Sequence, residues 1–292
     1  MRHYQYKKIY MWTQKHHIGK LINKIPDRIY VRVVYWMQCH KWLNLKCPKT
    51  FTEKIQWLKL HEDYSVYWRM VDKYEAKRIV EKKIGKQYII PTYTVVTKMN
   101  EINIDDLPMQ FVLKCTHDSG SVYVCKNKEK FNYARIKEKI ENSMQIDYFY
   151  YLREKQYKEI AHKIIIEKFI ENESNEPMEY KFFCFSGIPK IVMVILNDNG
   201  IRKSNFYDMK FKKLDLKIEN PNFGQCVKCP KEFEKMKEIA QTLSEGFKFI
   251  RVDLYCVGNQ IFFGEYTFQH WGGFLHIDPV EWEKRMGEWI EI

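Results

Sequence analysis

The chain has 292 residues, 45% of them apolar and 29% charged, so it can bury a sizeable core and is not a disordered chain. Its longest aliphatic run, residues 191–196, is far too short to span a bilayer, and the opening Met1-Arg2-His3-Tyr4 lacks the apolar stretch of a secretory signal. The net charge is +12, and residues 1–50 hold eleven Lys/Arg against the single acid Asp27, a balance of +10 that leaves +2 for the rest. That local excess suits a polyanionic partner (anionic lipid, nucleic acid or an acidic polymer), and equally suits a solvated basic face on an ordinary packed helix. Most of the eight cysteines lie in apolar stretches, where a reduced thiol acts as a small hydrophobe, and the cytoplasm is the expected compartment. Cys226 and Cys229 form a CxxC without a second half-site, which reads as a loop rather than a zinc centre.

Residues 1–50 read as a basic helical segment. A helix then begins around Pro48-Lys49-Thr50-Phe51-Thr52-Glu53, with Thr52 as N-cap ahead of Ile55 and Leu58. A second is expected over about 71–84, ended by Gly85. Residues 88–96 are β-branched and aromatic and predict a strand with Pro91 near an edge. Residues 111–115 and 122–125 predict two short strands joined through the loop 117–121. A helix over 132–145 and a strand over 163–170 follow. Residues 179–185 and 189–196 form a hairpin around Ser186-Gly187, and Asn197-Asp198-Asn199-Gly200 is a turn. Residues 231–245 have amphipathic helical spacing and stop at Gly246. The last strands, 249–256 and 260–268, flank Gly258-Asn259. Strands arranged in hairpins with helices between them indicate a mixed α+β fold. Neither Gly-x-Gly-x-x-Gly nor Gly-x-x-x-x-Gly-Lys-Ser/Thr occurs, so the Rossmann and P-loop readings lose their main support.

The last hairpin carries the most chemistry. Period two puts Arg251, Asp253 and Tyr255 on one face, and Phe263, Glu265 and Thr267 together on the partner strand. Pairing about Asn259 sets Asp253 opposite Glu265. A two-residue Gly258-Asn259 turn would shift that register by one and split the acids between faces. A three-residue loop or a bulge is therefore expected, with the two carboxylates facing each other. Close carboxylates repel unless a cation lies between them. Mg²⁺ with substrate phosphates, Arg251 in a salt-bridged sheet, and an acid/base pair for glycoside hydrolysis all suit the spacing. Lys114 with the loop 117–121 could hold an anion on backbone N–H groups, or could be a solvated lysine beside an ordinary loop. The stretch Ile164 to Ile170, with Glu167, could line a nucleobase slot or be a sheet strand with a charged end. Arg202 and Lys203 suit an acidic sugar as well as solvent.

These features occur in a recognisable order. Asp72-Lys73-Tyr74, Lys114 before a small-residue loop, Glu167-Lys168-Phe169-Ile170, Arg251-x-Asp253 and Glu265-x-Thr267 together resemble the ATP-grasp superfamily. The stretches 51–60, 71–75, 111–115, 180–185 and 263–268 resemble the TupA-like ATP-grasp family, associated with teichuronopeptide and capsular polysaccharide synthesis, over about residues 48–292. The resemblance implies two α+β lobes clasping a nucleotide cleft behind a basic helical N-terminal extension. Residues 1–50 would be that extension and 51–108 an N-terminal α/β part. Residues 109–175 would be the small lobe with phosphate lid and adenine hinge, and 176–292 the large lobe with the metal and acceptor site.

The resemblance also implies roles. Lys73 and Lys114 would contact ATP phosphates, Lys114 and Arg251 would assist the transferring phosphoryl group, and Ser119, Gly120 and Ser121 would belong to the lid. Glu167 would meet the adenine amino group, with the backbone of Lys168, Phe169 and Ile170 as hinge and Lys181 as a further pocket residue. Asp253, Glu265 and Thr267 would hold Mg²⁺. His270, Gly272 and Gly273 would floor the acceptor site, with His276 near, and Arg202 would touch substrate. Two positions depart from the family pattern. Thr267 stands in place of Asn and offers a metal a weaker oxygen. Asp118 replaces the first glycine of the lid and is unfavourable near triphosphate unless it points away or helps bind metal.

The implied activity is an ATP- and Mg²⁺-dependent carboxylate–amine ligation through an acyl phosphate, which needs positioning and cations rather than a protein nucleophile. Its substrates would be a small-molecule or polysaccharide carboxylate and an amine. Residues 1–50 would hold the cytoplasmic protein at the inner membrane face or on an anionic polymer, and nucleic acid is set aside. The alternative is a glycosyltransferase of the same pathway using a nucleotide sugar, which the lack of an Asp-x-Asp pair at a strand end disfavours. A third reading is a non-enzymatic binder acting through the basic segment.

Overall fold

The computed structural model describes residues 2–16, 18–170, 178–198 and 201–292. Three helices open the chain: α1 (Arg2–Lys15), α2 (Ile18–Asn23) and α3 (Asp27–Cys39). Next come α4 (Phe51–His61), the short α5 (Trp68–Val71) and α6 (Lys73–Ile84). Helix α4 is capped by Thr50 and not by Thr52. The Thr50 hydroxyl accepts from the Glu53 N–H at 3.4 Å while the Glu53 carboxylate accepts from the Thr50 N–H at 3.0 Å. Glu53 lies three residues after Thr50, which is the spacing a reciprocal cap requires. Thr52 is instead buried and hydrogen-bonded to Tyr35 and Glu283. The helix expected over 71–84 is broken at Asp72, whose carboxylate accepts from the N–H groups of Tyr74 and Glu75 at 2.9 and 2.8 Å and so starts α6 afresh. Gly85, at φ +108°, ends it.

The first sheet is small and antiparallel, in the order β1-β4-β2-β3. Its strands are β1 (Thr92–Val96), β2 (Phe111–Cys115), β3 (Val122–Cys125) and β4 (Ile164–Lys168). Strand β1 starts four residues later than expected. Residues Lys86–Tyr88 form a 3₁₀ turn, and Pro91 stays outside the strand, offering its carbonyl to the Lys168 N–H at 2.9 Å. Between β3 and β4 lie α7 (Tyr133–Met144) and the single-turn α8 (Phe149–Leu152). Phe111, Leu113, Cys115, Ile164 and Ile166 form a buried cluster with Ile140 of α7.

The second sheet has five antiparallel strands in the order β10-β9-β5-β6-β7. These are β5 (Met178–Phe185), β6 (Ile188–Asp198), β7 (Ile201–Tyr207), β9 (Phe249–Val257) and β10 (Gln260–Thr267). The turn expected at 197–200 falls partly outside the described residues. Helix α9 (Phe233–Ser244) presses Phe233, Met236, Ile239, Ala240 and Leu243 into the core that also takes Phe182, Val252 and Leu254. Strands β8 (Lys217–Ile218) and β11 (Ile277–Asp278) pair with each other, and α10 (Val280–Glu288) closes the chain.

The N-terminal helices have their own core of Tyr10, Tyr30, Val31, Val34 and Tyr35, packed on Tyr148, Tyr151, Leu152 and Phe274. Buried Arg153, at φ +56°, locks this core to the body. Its guanidinium donates to the Ile22 carbonyl at 2.8 Å, lies 3.5 Å from Asp27 and stacks on the Tyr30 ring. Among the described residues no helix is long and apolar enough to cross a membrane.

Candidate functional site

Val257 pairs with Gln260 across a tight Gly258-Asn259 turn, and this register runs to Phe263 opposite Leu254. Gly264 is then skipped, and Glu265 pairs with Asp253 and Thr267 with Arg251. A bulge, not a longer loop, brings the two acids face to face. Glycine fits the bulge: a Cβ there would lie 3.0 Å from the Tyr255 ring and 3.1 Å from the Asp253 carbonyl. The bulge corrects one expectation. Phe263 does not share the face of Glu265; it turns into the core, and Phe262, opposite Tyr255, takes its place on the site face.

The large-sheet face is a knot of opposite charges. The Arg251 guanidinium donates to both Asp253 oxygens at 2.6 and 2.7 Å and to Glu265 at 2.9 Å, and it touches His270 Nδ1. Lys181, from the neighbouring β5, bonds Asp253 and lies 2.8 Å from Glu179, which Arg202 reaches at 3.0 Å. Burial alone would raise the Asp253 carboxyl, but Arg251 and Lys181 outweigh it and hold that carboxyl below its ordinary range. Burial likewise opposes the charge on Lys181, yet Asp253 and Glu179 hold its pKa above the usual lysine value. Glu265 differs, with its side chain 46% exposed. Thr267 donates weakly to it at 3.4 Å.

A second knot forms on the small sheet. Glu167 is 2% exposed, and Lys77 and Lys114 both hold its carboxylate, Lys114 at 2.6 Å. Burial pushes Glu167 up, but these two ammonium groups pull it down to about 2. The Glu167 carboxylate is thus paired with both lysines. Lys73 donates to the carbonyls of Cys115, at 2.8 Å, and Asp118. The Asp118 carboxylate accepts from the Ser121 hydroxyl and lies 3.9 Å from Lys73, so it turns inward beneath the loop. Ser119 and Gly120, the latter at φ +105°, form the exposed tip.

The two knots are neighbours. Burial first, then the carboxylates of Glu179, Glu265, Asp253 and Glu167, drive the Tyr255 phenol well above its ordinary pKa, so Tyr255 feels both sheets. Beside them opens a cavity of about 650 Å³, the size of a small-molecule site, with Lys77, Ile90, Lys168, Phe169 and Ile170 on one side and Phe262 on the other.

The remaining candidates divide. His270 is buried against Arg251 and Phe183. Gly272 and Gly273 are buried under α4 and α8, where added Cβ atoms would meet Leu152 at 2.6 Å and Ile55 at 2.8 Å, so they seal the base instead of flooring an open acceptor site. Arg202 lies on β7 and pairs with Glu179, and His276 is exposed, its N–H bonded to Glu219. Cys226 and Cys229 are exposed free thiols.

Sequence reasoning missed Lys77 and Glu179. Lys77 stands one helical turn after Lys73, and Glu179 two residues before Lys181 on the same strand face, so both periods were available. It also missed Lys59 and Glu154. Burial pushes the Lys59 ammonium down to about 7 and the Glu154 carboxyl up to about 7, and Lys59 bonds the carbonyls of Leu152 and Gly272 beneath the site.

Residues 53–291 match the TupA-like ATPgrasp family. The chain belongs to the TupA-like ATP-grasp family. Its fold is that of an ATP-grasp enzyme, with the α+β lobes the resemblance implied. Among curated proteins none matches the chain. It is similar to the D-alanine–D-alanine ligase from Bacillus anthracis at 16% identity and TM-score 0.42, over 68% of this chain and 57% of that one. The D-alanine–D-alanine ligase from Helicobacter pylori gives 17% identity and TM-score 0.42, over 82% and 69%. The ATP-grasp ligase PsnB, complexed with a phosphomimetic variant of its minimal precursor, Mg and ADP, gives 7% and 0.41, over 75% and 57%. The ATP-grasp chain described here thus spans a little over half the length of the first of these, 57%.

The donor set fits one mode of Mg²⁺ binding. Among the described residues no group of three or more His, Cys, Asp and Glu could cage a metal. Two facing carboxylates, one half exposed, do suit an ion that takes one or two carboxylates and fills its shell with phosphate oxygens.

Proposed function

We propose that the protein is an ATP- and Mg²⁺-dependent carboxylate–amine ligase acting on an acidic sugar or amino acid in cell-surface or capsular polysaccharide biosynthesis. One observation carries the reading. The Gly264 bulge sets Asp253 opposite Glu265 on the face of Phe262, which lines one cavity with Lys77 of α6, the lysine paired with Glu167 of the small sheet. An acid pair suited to a metal and a lysine group suited to phosphates thus lie beside one cavity of small-molecule size, which Phe262 and Lys77 line.

In this reading the base lies against Lys168, Phe169 and Ile170. Lys73 and Lys114, with the backbone at Ser119, Gly120 and Ser121, receive the phosphates in exchange for their present carbonyl and carboxylate partners. Asp253, Glu265 and Thr267 would hold Mg²⁺, which when bound neutralises phosphate charge and orients it. Arg251, clamped by Asp253 and assisted by Lys181, presents its remaining Nη1 N–H to the moving phosphoryl group. A substrate carboxylate oxygen attacks the γ-phosphorus as ADP leaves. An amine nitrogen then attacks the acyl carbon, loses a proton and releases phosphate. Arg202 would steady an acidic substrate and His270 would keep Arg251 in place. Residues 1–50 would hold the protein at an anionic surface, the inner membrane face or an acidic polymer.

The test is ADP release with Mg²⁺ against a panel of uronic acids and amino acids, each paired with amines. Release that needs both a carboxylate and an amine, and that Glu265→Gln removes, is expected. Thermal stabilisation by uridine-diphosphate sugars and not by Mg·ATP would instead establish a transferase and end the ligase reading.

A further inference from the structure

Helix α3 is apolar on two sides. One side, Tyr30, Val31, Val34 and Tyr35, is buried, and two hydroxyls fix it: Tyr30 donates to the Tyr151 carbonyl at 2.9 Å and Tyr35 lies 2.8 Å from the Thr52 hydroxyl. The opposite side should be polar on a helix that faces water. It carries Ile29, Val33 and Trp36, each about half exposed, and Leu21 and Ile25 continue the row toward α2. Within α3 the spacings of four and three residues keep Ile29, Val33 and Trp36 on one side. Trp42, 78% exposed, stacks on Trp36 at 6.1 Å and extends it. Exposed Lys20, Lys24, Arg28 and Arg32 flank the row, and among the described residues none of the four has an acidic partner. Asp27, the only acid of residues 1–50, is already held by Arg153.

We infer that this row is a membrane-docking face, and that its occupant is the interfacial layer of an anionic lipid bilayer. The inference rests on the reading of residues 1–50 as an anchoring segment and narrows it to one surface. A second copy of the chain is a poor occupant, because a symmetric contact would set one segment of charge +10 against another. An acidic polymer would satisfy the cations and leave the apolar row in water. A bilayer satisfies both. The aliphatic side chains enter the boundary between headgroups and acyl chains, Trp36 and Trp42 sit at headgroup level, and the four cations meet anionic headgroups. Patches of large apolar side chains rimmed by polar groups mark such contacts. The buried side of α3, pinned to the body, keeps the row facing outward.

The experiment is co-sedimentation of the full chain with vesicles of phosphatidylcholine alone and of phosphatidylcholine with phosphatidylglycerol. Three proteins are compared: wild type, the triple variant Ile29→Ser, Val33→Ser, Trp36→Ser, and the variant Lys24→Gln, Arg28→Gln, Arg32→Gln. Wild type is expected to bind the anionic vesicles at least about tenfold more tightly than the neutral ones, since each basic residue near the surface adds attraction. The serine variant should lose about tenfold or more on both vesicles, and the glutamine variant should lose the preference for anionic lipid. Both should keep the wild-type circular dichroism and melting temperature. Vesicle binding unchanged in the serine variant would overturn the inference. So would a wild-type dimer, seen by light scattering, that the serine variant splits while neither binds vesicles. Polygalacturonate beads separate the two levels: retention on beads without vesicle binding overturns the bilayer and leaves the anionic-surface reading standing, and failure on both removes the two together.

Discussion

The small sheet and the large sheet each carry a knot of opposite charges, and the knots differ in balance. At the small sheet Lys73 and Lys77 of α6 and Lys114 of β2 meet Glu167 and Asp118, an excess of one cation. On the large sheet Arg251, Lys181 and the more exposed Arg202 meet Asp253, Glu265 and Glu179, three cations against three acids. The small-sheet side is short of an anion, and the large-sheet side is internally paired. The knots also differ in depth. Asp253 and Glu167 are each wrapped by two cations and almost wholly buried, whereas Glu265 stands half in solvent.

That contrast in depth separates two variants that should look alike in activity. Asp253→Asn and Glu265→Gln are each expected to lower Mg·ATP turnover by about 10³-fold, the scale of losing a preorganised charge in such a site. They should part in stability. Asp253→Asn leaves Arg251 and Lys181 buried against a neutral amide and should cost about 3–5 kcal/mol by urea unfolding. Glu265→Gln should stay within about 1 kcal/mol, because water already screens it. Equal melting losses would erase the proposed division between buried clamp and open ligand.

The small-sheet knot predicts an acid limb. The folded pKa of Glu167 is about 2 against an ordinary 4.5, so its contribution is present in full above about 4.5 and is lost as pH falls toward about 2. Glu167→Gln should flatten that part of the stability–pH curve and lower stability at neutral pH by about 2–4 kcal/mol, since two lysines then share a site without their carboxylate. An unchanged acid limb in the variant would show that other carboxylates set it.

A smaller effect tests the bulge. Gly264→Ala brings a methyl to 3.0 Å from the Tyr255 ring and 3.1 Å from the Asp253 carbonyl, so about 1–2 kcal/mol of destabilisation and a raised KM for ATP are expected. A wild-type KM would mean that the facing of the acids tolerates a shift of the strand. The smallest effect belongs to Arg202→Ala. Its pair with Glu179 is 55% exposed on the arginine side and should contribute less than about 0.5 kcal/mol, while an effect on substrate KM alone would assign Arg202 to the acceptor side.

The facing acids were legible because strand parity is strict: Asp253 and Glu265 can share a face only if one extra residue is inserted between them. Parity could not say where. Gly258 and Gly264 both suit an irregular backbone, and only the contact with Tyr255 distinguishes them. The ends of elements turned on single neighbours, as when Glu53 selected Thr50 over Thr52 and Pro91 delayed the first strand. Partnerships across long separations were not legible. Glu167 lies ninety residues from Lys77, and nothing local tells that the two are paired. Gly272 and Gly273 looked like an open floor because their tight packing depends on Leu152 and Ile55, which the chain brings from far away.

Arg153 ties the two ends of this picture together. Its guanidinium holds the carbonyl at the end of α2 and the first residue of α3, while the peptide on either side of it carries Leu152 and Glu154 beneath the charged knots. The N-terminal helices are therefore a rigid mooring and not a leash. On the proposed surface, the slot between the sheets would keep one fixed height and tilt, and an acceptor bound there would be measured against a ruler one arginine long.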